Sequence, residues 1–387
     1  MTPYGRQDIT EADIDAVAEI LRGDFLTQGP ALPRFECVVA DYCGAQHGVA
    51  VNSATSALHI ACLALELGPG DWLWTSPNTF VASANAALYC GAKVDFVDID
   101  SRTYNLCPQR LELKLQQAEK LGTLPKVLMP VHFAGQPCDM PKIKALSGKY
   151  GFRIVEDASH AIGASYQGIK VGSCSHSDIT VFSFHPVKII TTGEGGMAMT
   201  NEETLAGRLR CLRTHGITNN KDLMQPRPDD EIWNYQQIEL GYNYRMTDIQ
   251  AALGLSQIAR LDSYVSRRHE IAERYDEDFR SLPITTPYQA SRTHSCYHLY
   301  PIRVNEAQSG KTQRTVYDAL LRNHVGANLH YIPVHRHPYY EKLGFKVGDF
   351  PESEQFHREV ISLPMYPTLS SNQQKHVISA LASMFSL

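Results

Sequence analysis

The sequence predicts an α/β fold in which a largely parallel sheet is covered on both faces by helices. Seven short apolar runs alternate with helix-period segments over residues 45–205. The runs are nearly continuous in apolar residues, which is typical of strands that are buried on both faces of a parallel sheet. A smaller C-terminal α+β domain is expected to follow this large domain.

Two helices are predicted ahead of the sheet. In the first, TEADIDAVAEIL, Thr10 is placed to cap the helix and Asp13 lies in its first turn. The second should cover PRFECVVADYCG and end near Gly44, because glycine readily adopts the left-handed conformation that closes a helix.

The predicted strands of the sheet are GVAVNS (48–53), DWLWTSP (71–77), KVDFVDID (93–100), KVLMPVHFAG (126–135), RIVEDAS (153–159), ITVFSFH (179–185) and GMAMT (196–200). The segments TSALHIACLALELG, NTFVASANAALYCG, PQRLELKLQQAEKLG and MPKIKALSGKYG have the helical period and lie between them. This alternation predicts the seven-stranded, mostly parallel sheet.

The pattern beyond residue 205 becomes mainly helical. Thr247 and Gln250 form a capping-box signature, and the helix that follows is predicted to continue towards Phe279. SLPITTP then interrupts the pattern, after which YHLYPIRV and GANLHYIPVH are predicted strands and QQKHVISALASMF a final helix. We therefore divide the chain into residues 1–260, an N-terminal segment with the large domain, and residues 261–387, the small domain.

Composition excludes several classes of protein. The 387 residues carry a net charge of −5 with scattered Lys and Arg, which argues against a nucleic-acid-binding surface. No apolar run approaches the roughly 20 residues that span a bilayer, and the N-terminus lacks the pattern of a signal peptide. The nine cysteines form no C-x-x-C pair, which favours free thiols in a reducing compartment. We expect a cytoplasmic protein.

Several familiar motifs are incomplete. SGKT (309–312) lacks the first P-loop glycine, and HEIAE (269–273) ends in Glu where a zinc protease has His. No G-x-G-x-x-G follows a strand, so a nicotinamide cofactor has little support. Four histidines crowd residues 324–337 without a carboxylate at ligand spacing, so no metal is expected.

Polar residues follow the ends of three predicted strands. In NSATSAL, Ala54 and Thr55 begin a helix whose N-terminus favours an anion. In RIVEDASHA, Asp157 lies at the carboxyl edge of the sheet, where such sheets bind ligands. In FSFHPVKIITTGEGG, Ser183 ends a strand and Lys188 precedes a glycine-rich turn that permits close approach to a ligand.

Taken singly, these residues have ordinary explanations, since Ser, Thr and Asp cap helices and lysines are mostly exposed. Together they match the needs of pyridoxal 5′-phosphate, which are a lysine for a Schiff base, a carboxylate for the pyridine nitrogen, and hydroxyl groups with a helix N-terminus for the phosphate. A fourth stretch, GYNYRMTD (241–248), adds polar and aromatic residues ahead of the capped helix.

The chain resembles the DegT/StrS-like sugar-nucleotide aminotransferases. The stretches that carry the resemblance are FLTQGPALPRFE, VNSATSAL, TFVASANAALYCGAKVDFVDID, VHFAGQPCDM, EDASHAIGA, SFHPVKIITTGEGGM, GYNYRMTDIQAALG and YIPVHRHPYY. They occur in order from about residue 3 to the C-terminus. The resemblance implies the fold-type I architecture of pyridoxal-phosphate-dependent transferases, similar to aspartate aminotransferase. LTQGP, NSATSAL and SFHPVKIITTGEGG are most similar to the branch of pseudaminic acid biosynthesis.

The resemblance also implies roles for individual residues around the cofactor ring. Lys188 corresponds to the Schiff-base lysine and proton shuttle, and Asp157 to the partner of the pyridine nitrogen. Phe80 corresponds to the residue stacked on the ring. His160 stands near the phenolic oxygen, where many relatives have Gln.

At the phosphate, the resemblance implies binding by Ala54, Thr55 and Ser183. Asn243 would reach the phosphate from a second subunit, which implies a homodimer with shared active sites. The family usually has Gly in place of Ala54, but the backbone N–H is kept.

The implied reaction moves an amino group from L-glutamate to C4 of a UDP-linked 4-keto-6-deoxy-N-acetylhexose. Glu194, Tyr331 and His335 are candidates for contacts with the substrate, and His185 has no assigned role. Three alternatives are a different UDP- or dTDP-linked keto-sugar, a sugar dehydratase on the same scaffold, and a non-catalytic sensor of nucleotide sugars. The dehydratase branch has His at the position where this chain has Lys188.

Overall fold

The computed structural model of the protein describes residues 1–228 and 230–385. The strands are β1 (His47–Val51), β2 (Trp72–Thr75), β3 (Lys93–Phe96), β4 (Val127–Met129), β5 (Arg153–Asp157), β6 (Ser165–Tyr166), β7 (Ile169–Lys170), β8 (Ile179–Ser183), β9 (Gly196–Thr200), β10 (Ile217–Thr218), β11 (Gln236–Gln237), β12 (Thr293–His294), β13 (Tyr300–Arg303) and β14 (Val360–Leu363). The helices are α1 (Glu11–Arg22), α2 (Ala31–Cys43), α3 (Ala54–Ala64), α4 (Ala82–Tyr89), α5 (Pro108–Leu121), α6 (Met140–Tyr150), α7 (Glu203–Arg213), α8 (Asp248–Ile258), α9 (Leu261–Asp278), α10 (Glu306–Ser309), α11 (Gln313–Arg322), α12 (Pro338–Glu341), α13 (Pro351–Glu359) and α14 (Ser371–Ala382). Short 3₁₀ helices lie at Phe133–Gly135, Lys221–Leu223 and Val334–Arg336.

The main sheet has seven strands in the order β1-β9-β8-β5-β4-β2-β3. The pairs β2–β3, β2–β4, β4–β5 and β5–β8 are parallel, and β9 is antiparallel to both β1 and β8. Strand β1 therefore runs in the same direction as β8, and the carboxyl ends of six strands meet at one edge. The predicted seven-stranded, mostly parallel sheet is confirmed.

Helices cover both faces of this sheet. One core cluster joins α3, α4 and α7 to one face and contains Val127 and Met129 of β4. On the other face, α2 and α8 pack in one cluster and α5 and α6 in another, which contains Leu128. Successive residues of a strand point to opposite faces, so a strand buried on both faces must be apolar throughout.

Local signals set the helix ends as predicted. Thr10 and Asp13 form a capping box at the start of α1, and Thr247 and Gln250 form another at the start of α8. Gly44 closes α2 with φ = 76° in the left-handed region. These helix ends are therefore confirmed at the residues that predicted them.

The predicted helix from Thr247 towards Phe279 is wrong in one respect, because it is two helices. Helix α8 ends at Ile258 and α9 begins at Leu261, with Arg260 at φ = −107° and ψ = 1° between them. The Arg260 guanidinium binds the Asp13 carboxylate at 2.8 and 2.6 Å. The sequence offers no Gly or Pro there, so the break depends on tertiary contacts. The domain division at 260/261 coincides with it and stays a prediction.

In the C-terminal part of the chain, α9, α11 and α14 pack around the antiparallel pair β13–β14. The strand predicted for GANLHYIPVH (326–335) is wrong, since only an isolated bridge joins Asn328 to Ser362 there. The Asn328 side chain accepts the Leu329 amide at 2.8 Å, and Pro333 has no N–H to donate. Both features reduce the number of backbone N–H groups that this segment can offer to a neighbouring strand. The predicted strand at β13 and the final helix α14 are confirmed.

Three features of the described residues concern membrane helices, metal sites and cysteines. No helix among them is long and apolar enough to cross a membrane. Residues 1–228 and 230–385 also contain no group of three or more His, Cys, Asp or Glu side chains arranged to hold a metal ion. All nine cysteines lie in these residues as free thiols.

Candidate active site

A cavity of about 920 Å³ opens at the carboxyl edge of the main sheet. It is bordered by the residues that follow β1, β2, β5 and β8, and by residues 328–331 of the small domain. The predicted site residues that line it are Ala54, Thr55, Phe80, Asp157, His160, Ser183, Lys188, Glu194 and Tyr331. Parallel strands explain this meeting, because their carboxyl ends share one edge.

The N-terminus of α3 forms one wall of the cavity. Ser53 caps the helix, its Oγ accepting the Ser56 amide at 3.1 Å. The Ala54 and Thr55 amides, in the first helical turn, have no acceptor within the helix. Gly196 of β9 approaches so closely that a Cβ there would lie 2.5 Å from the Ala54 nitrogen. These first-turn amides and the helix dipole suit a phosphate group.

Asp157, the last residue of β5, supplies a carboxylate to the same cavity. The side chain is 4% exposed, and the two carboxylate oxygens have separate donors. Oδ2 accepts the Ser83 hydroxyl at 2.6 Å, and Oδ1 accepts the Ser159 amide at 3.1 Å. These two donors fix the orientation of the carboxylate, which can then accept a hydrogen bond from a protonated ring nitrogen.

Lys188 lies in a tight connection between β8 and β9. The Lys188 amide donates to the His185 carbonyl at 2.9 Å, and the Phe184 amide donates to the Gly195 carbonyl at 2.9 Å. Burial lowers the pKa of Lys188 to about 8, although the nearby Asp157 carboxylate favours the charged amine. The side chain therefore supplies an amine that is partly neutral near physiological pH, as a nucleophile for a carbonyl requires.

His160 is held neutral and in one tautomer. Its Nδ1 accepts the Ala134 amide at 3.3 Å, so Nε2 carries the proton and donates to the Tyr331 hydroxyl at 3.1 Å. Burial, assisted by the charge of Lys188, lowers the pKa of His160 well below its usual value. His160 therefore presents an N–H rather than a positive charge to the cavity.

Two predicted residues lie outside the cavity. Asn243 is exposed beside α8, where its carbonyl oxygen accepts the Asn52 side chain at 3.5 Å. His335 is fully buried, with Nε2 bonded to Glu354 at 3.0 Å and its ring packed 4.8 Å from Phe350. The expectation that His335 contacts substrate is therefore wrong for this chain, because the side chain belongs to the core.

The remaining predicted residues are solvent-accessible. Phe80 is 60% exposed with its ring 6.4 Å from that of Tyr331, and Glu194 lies 4.0 Å from His185. An exposed aromatic ring beside a cavity is available to stack on a planar ligand.

The structure adds cavity residues that the sequence interpretation missed. Tyr4 reaches the cavity from the N-terminal segment and lies 5.6 Å from the His330 ring. His298 also lines the cavity, and its ring lies 4.4 Å from His160. Burial lowers the pKa of His330 to about 4. Of the four histidines between residues 324 and 337, only His330 lines the cavity, and their crowding in the sequence is the one signal that could have indicated this wall.

The fold and this set of side chains define a class of enzyme that depends on pyridoxal phosphate. The α3 amides fit the phosphate, Asp157 fits the ring nitrogen, and Lys188 fits the carbonyl. The sequence profile of the DegT/DnrJ/EryC1/StrS aminotransferase family matches residues 7–382. The chain belongs to that family.

Known proteins are similar to this chain over nearly its whole length. Spore coat polysaccharide biosynthesis protein SpsC of Bacillus subtilis is 40% identical, covering 98% of this chain and 96% of its own. The UDP-4-amino-4,6-dideoxy-N-acetyl-beta-L-altrosamine transaminase of Campylobacter jejuni is 36% identical, covering 99% and 97%. The PLP-form of the sugar aminotransferase Spr1654 of Streptococcus pneumoniae has a TM-score of 0.87 at 30% identity, covering 99% and 98%. The protein is a sugar aminotransferase whose cofactor is pyridoxal phosphate.

Proposed function

We propose that the protein transfers the amino group of L-glutamate to C4 of a UDP-linked 4-keto-6-deoxy-N-acetylhexose. The observation that carries the chemistry is one cavity holding the Lys188 amine, the Asp157 carboxylate and the α3 N-terminus. The sugar is inferred from the 36% identity with a transaminase whose name specifies a UDP-linked amino sugar. The donor is inferred from the family resemblance.

Bound pyridoxal phosphate supplies a carbonyl that takes up the amino group and a ring that accepts electrons. The Lys188 amine, once neutral, accepts a proton from carbon and returns one in the second half of the reaction. The Asp157 carboxylate would face the ring nitrogen, and His160, which burial keeps neutral, would lie beside the phenolic oxygen. Ala54 and Thr55 hold the phosphate with their amides.

A panel of substrates tests this assignment. The protein with glutamate should release 2-oxoglutarate, and a UDP-linked 4-keto-6-deoxy-N-acetylhexose should become the 4-amino sugar, as followed by NMR. Lys188→Ala should abolish turnover while the apo fold is kept. A preference for dTDP-linked or 3-keto sugars would reject the proposed acceptor, and wild-type turnover by Lys188→Ala would reject the catalytic assignment.

The proposal includes a homodimer with shared active sites. Asn243 lies outside its own cavity, and the neighbouring residues 232–240 expose large apolar side chains, among them Ile232 (90%), Trp233 (74%) and Leu240 (75%). Apolar exposure on this scale is typical of a surface that a second chain covers. We propose that Asn243 reaches the partner's phosphate site and that the enzyme works in the cytoplasm.

Subunit mixing tests the shared site. Asn243→Asp places a negative charge at the phosphate, and Lys188→Ala removes the amine, so each variant alone should be inactive. If the two residues serve the same site from different subunits, a mixed dimer has one intact site and activity returns. No recovery after verified subunit exchange would place both residues in the site of one subunit.

A further inference from the structure

Thr79, Ser83 and Asp157 form a buried chain of hydrogen bonds at the start of α4. The Thr79 hydroxyl lies 2.8 Å from the Ser83 hydroxyl, which lies 2.6 Å from Asp157 Oδ2. Their exposed fractions are 3%, 0% and 4%. Val81 occupies the N-cap position of α4, and the local bond open to the Ser83 hydroxyl, to the Phe80 carbonyl at 3.4 Å, is much longer than its bond to Asp157. The hydrogen bonds from Thr79 to Ser83 and from Ser83 to Asp157 are therefore not explained by the formation of α4.

The direction of donation along this chain of hydrogen bonds follows from proton counting. An ionised carboxylate only accepts hydrogen bonds, and a hydroxyl has a single proton to give. The Ser83 proton therefore goes to Asp157, and the Thr79 proton goes to Ser83. A separation of 2.6 Å is typical of a hydroxyl that donates to a charged oxygen.

The backbone around Asp157 is already fixed. The Asp157 amide donates to the Pro130 carbonyl at 2.9 Å, and the Asp157 carbonyl accepts the His132 amide at 3.1 Å. The remaining freedom is rotation of the carboxylate about its side-chain bonds. Ser83 removes that freedom at one oxygen, and the Ser159 amide restrains the other.

We propose that Ser83, oriented by Thr79, is a positioning residue that keeps the proton on the ring nitrogen of bound pyridoxal phosphate. The inference rests on the proposed role of Asp157. By donating to Asp157, Ser83 holds the plane of the carboxylate towards the ring nitrogen. Without this bond the carboxylate can rotate, its alignment with the ring nitrogen is lost, and the ring holds its proton less firmly.

Ring-¹⁵N-labelled pyridoxal phosphate bound to Ser83→Ala provides the test. This change removes one oxygen atom, so the fold should survive. The ¹⁵N signal should move towards the unprotonated position over pH 6 to 9, and kcat with glutamate should fall about tenfold to a hundredfold, with KM little changed. Thr79→Val, which keeps the side-chain shape, should move the signal in the same direction by less.

Ser147→Ala is the matched control, because Ser147 on α6 is also buried and donates to the Phe152 carbonyl at 2.6 Å, away from the cavity. It should leave the ¹⁵N signal at its wild-type position. An unmoved signal in Ser83→Ala overturns the proposal, whatever happens to kcat. The variant Asp157→Asn separates the two hypotheses. If its ¹⁵N signal stays at the wild-type position, the role of Asp157 is rejected. If the signal moves in Asp157→Asn but not in Ser83→Ala, only the role of Ser83 is rejected.

Discussion

The amine of Lys188 should be far more reactive than an ordinary lysine in the cofactor-free protein. Burial lowers its pKa from 10.5 to about 8. At pH 7 the neutral fraction would then be about 10%, against about 0.03% for an unshifted lysine, a ratio of about 300. Asp157→Asn should raise the neutral fraction further, because the Asp157 carboxylate favours the charged amine.

Trace acetylation with acetic anhydride measures this fraction, since only the neutral amine reacts. Peptide mass spectrometry over pH 6.5 to 11 should give a midpoint near 8 for Lys188. Lys142 is the internal control, because it is exposed and its hydrogen bond to the Asp139 carboxylate raises its pKa above the ordinary value. If Lys188 and Lys142 follow the same curve, the cavity does not desolvate the catalytic amine and the reasoning fails.

Two further predictions concern packing that supports the site. Gly196→Ala should raise the dissociation constant for pyridoxal phosphate at least tenfold, because the new Cβ would displace the Ala54 amide; equilibrium dialysis measures it, and unchanged affinity would show that α3 can shift freely. Asp248→Asn should lower the free energy of unfolding by about 2 kcal/mol, because the buried Asp248 carboxylate accepts the Gly29 amide and others at the start of α2. Urea denaturation measures this loss, exposed Asp15→Asn is the control, and equal stability of both variants would contradict it.

The large domain could be predicted from sequence because its signals are local. Each central strand is mainly an apolar run, and several helix ends carry a capping side chain or a glycine, as at Thr10, Gly44 and Thr247. The break at Arg260 and the irregular path after Gly326 could not be predicted. They depend on partners distant in sequence, among them Asp13 and Ser362.

The site residues also divide into those whose local sequence predicted their place and those that depend on distant partners. Ala54, Asp157 and Lys188 follow strand ends, and the parallel sheet brings such positions together, so their sequence context predicted a common cavity. Ser83 was missed because TFVASANAAL reads as an ordinary helix, and its bond to Asp157 joins residues 74 positions apart. His335 was misassigned because a polar loop and a buried histidine with a carboxylate partner look alike in sequence.

The backbone hydrogen bonds that join the N-terminal segment to the C-terminal part of the chain have a consequence for how the enzyme acquires its cofactor. The Thr2 amide donates to the His324 carbonyl at 2.9 Å, and the Tyr4 carbonyl accepts the Met365 amide at 3.0 Å. Tyr4 and His330 both line the cavity, so this part of its wall is held by contacts between segments that are distant in the sequence. Contacts of such long sequence separation form late in folding. Tight binding of the cofactor would then require that these distant segments have come together.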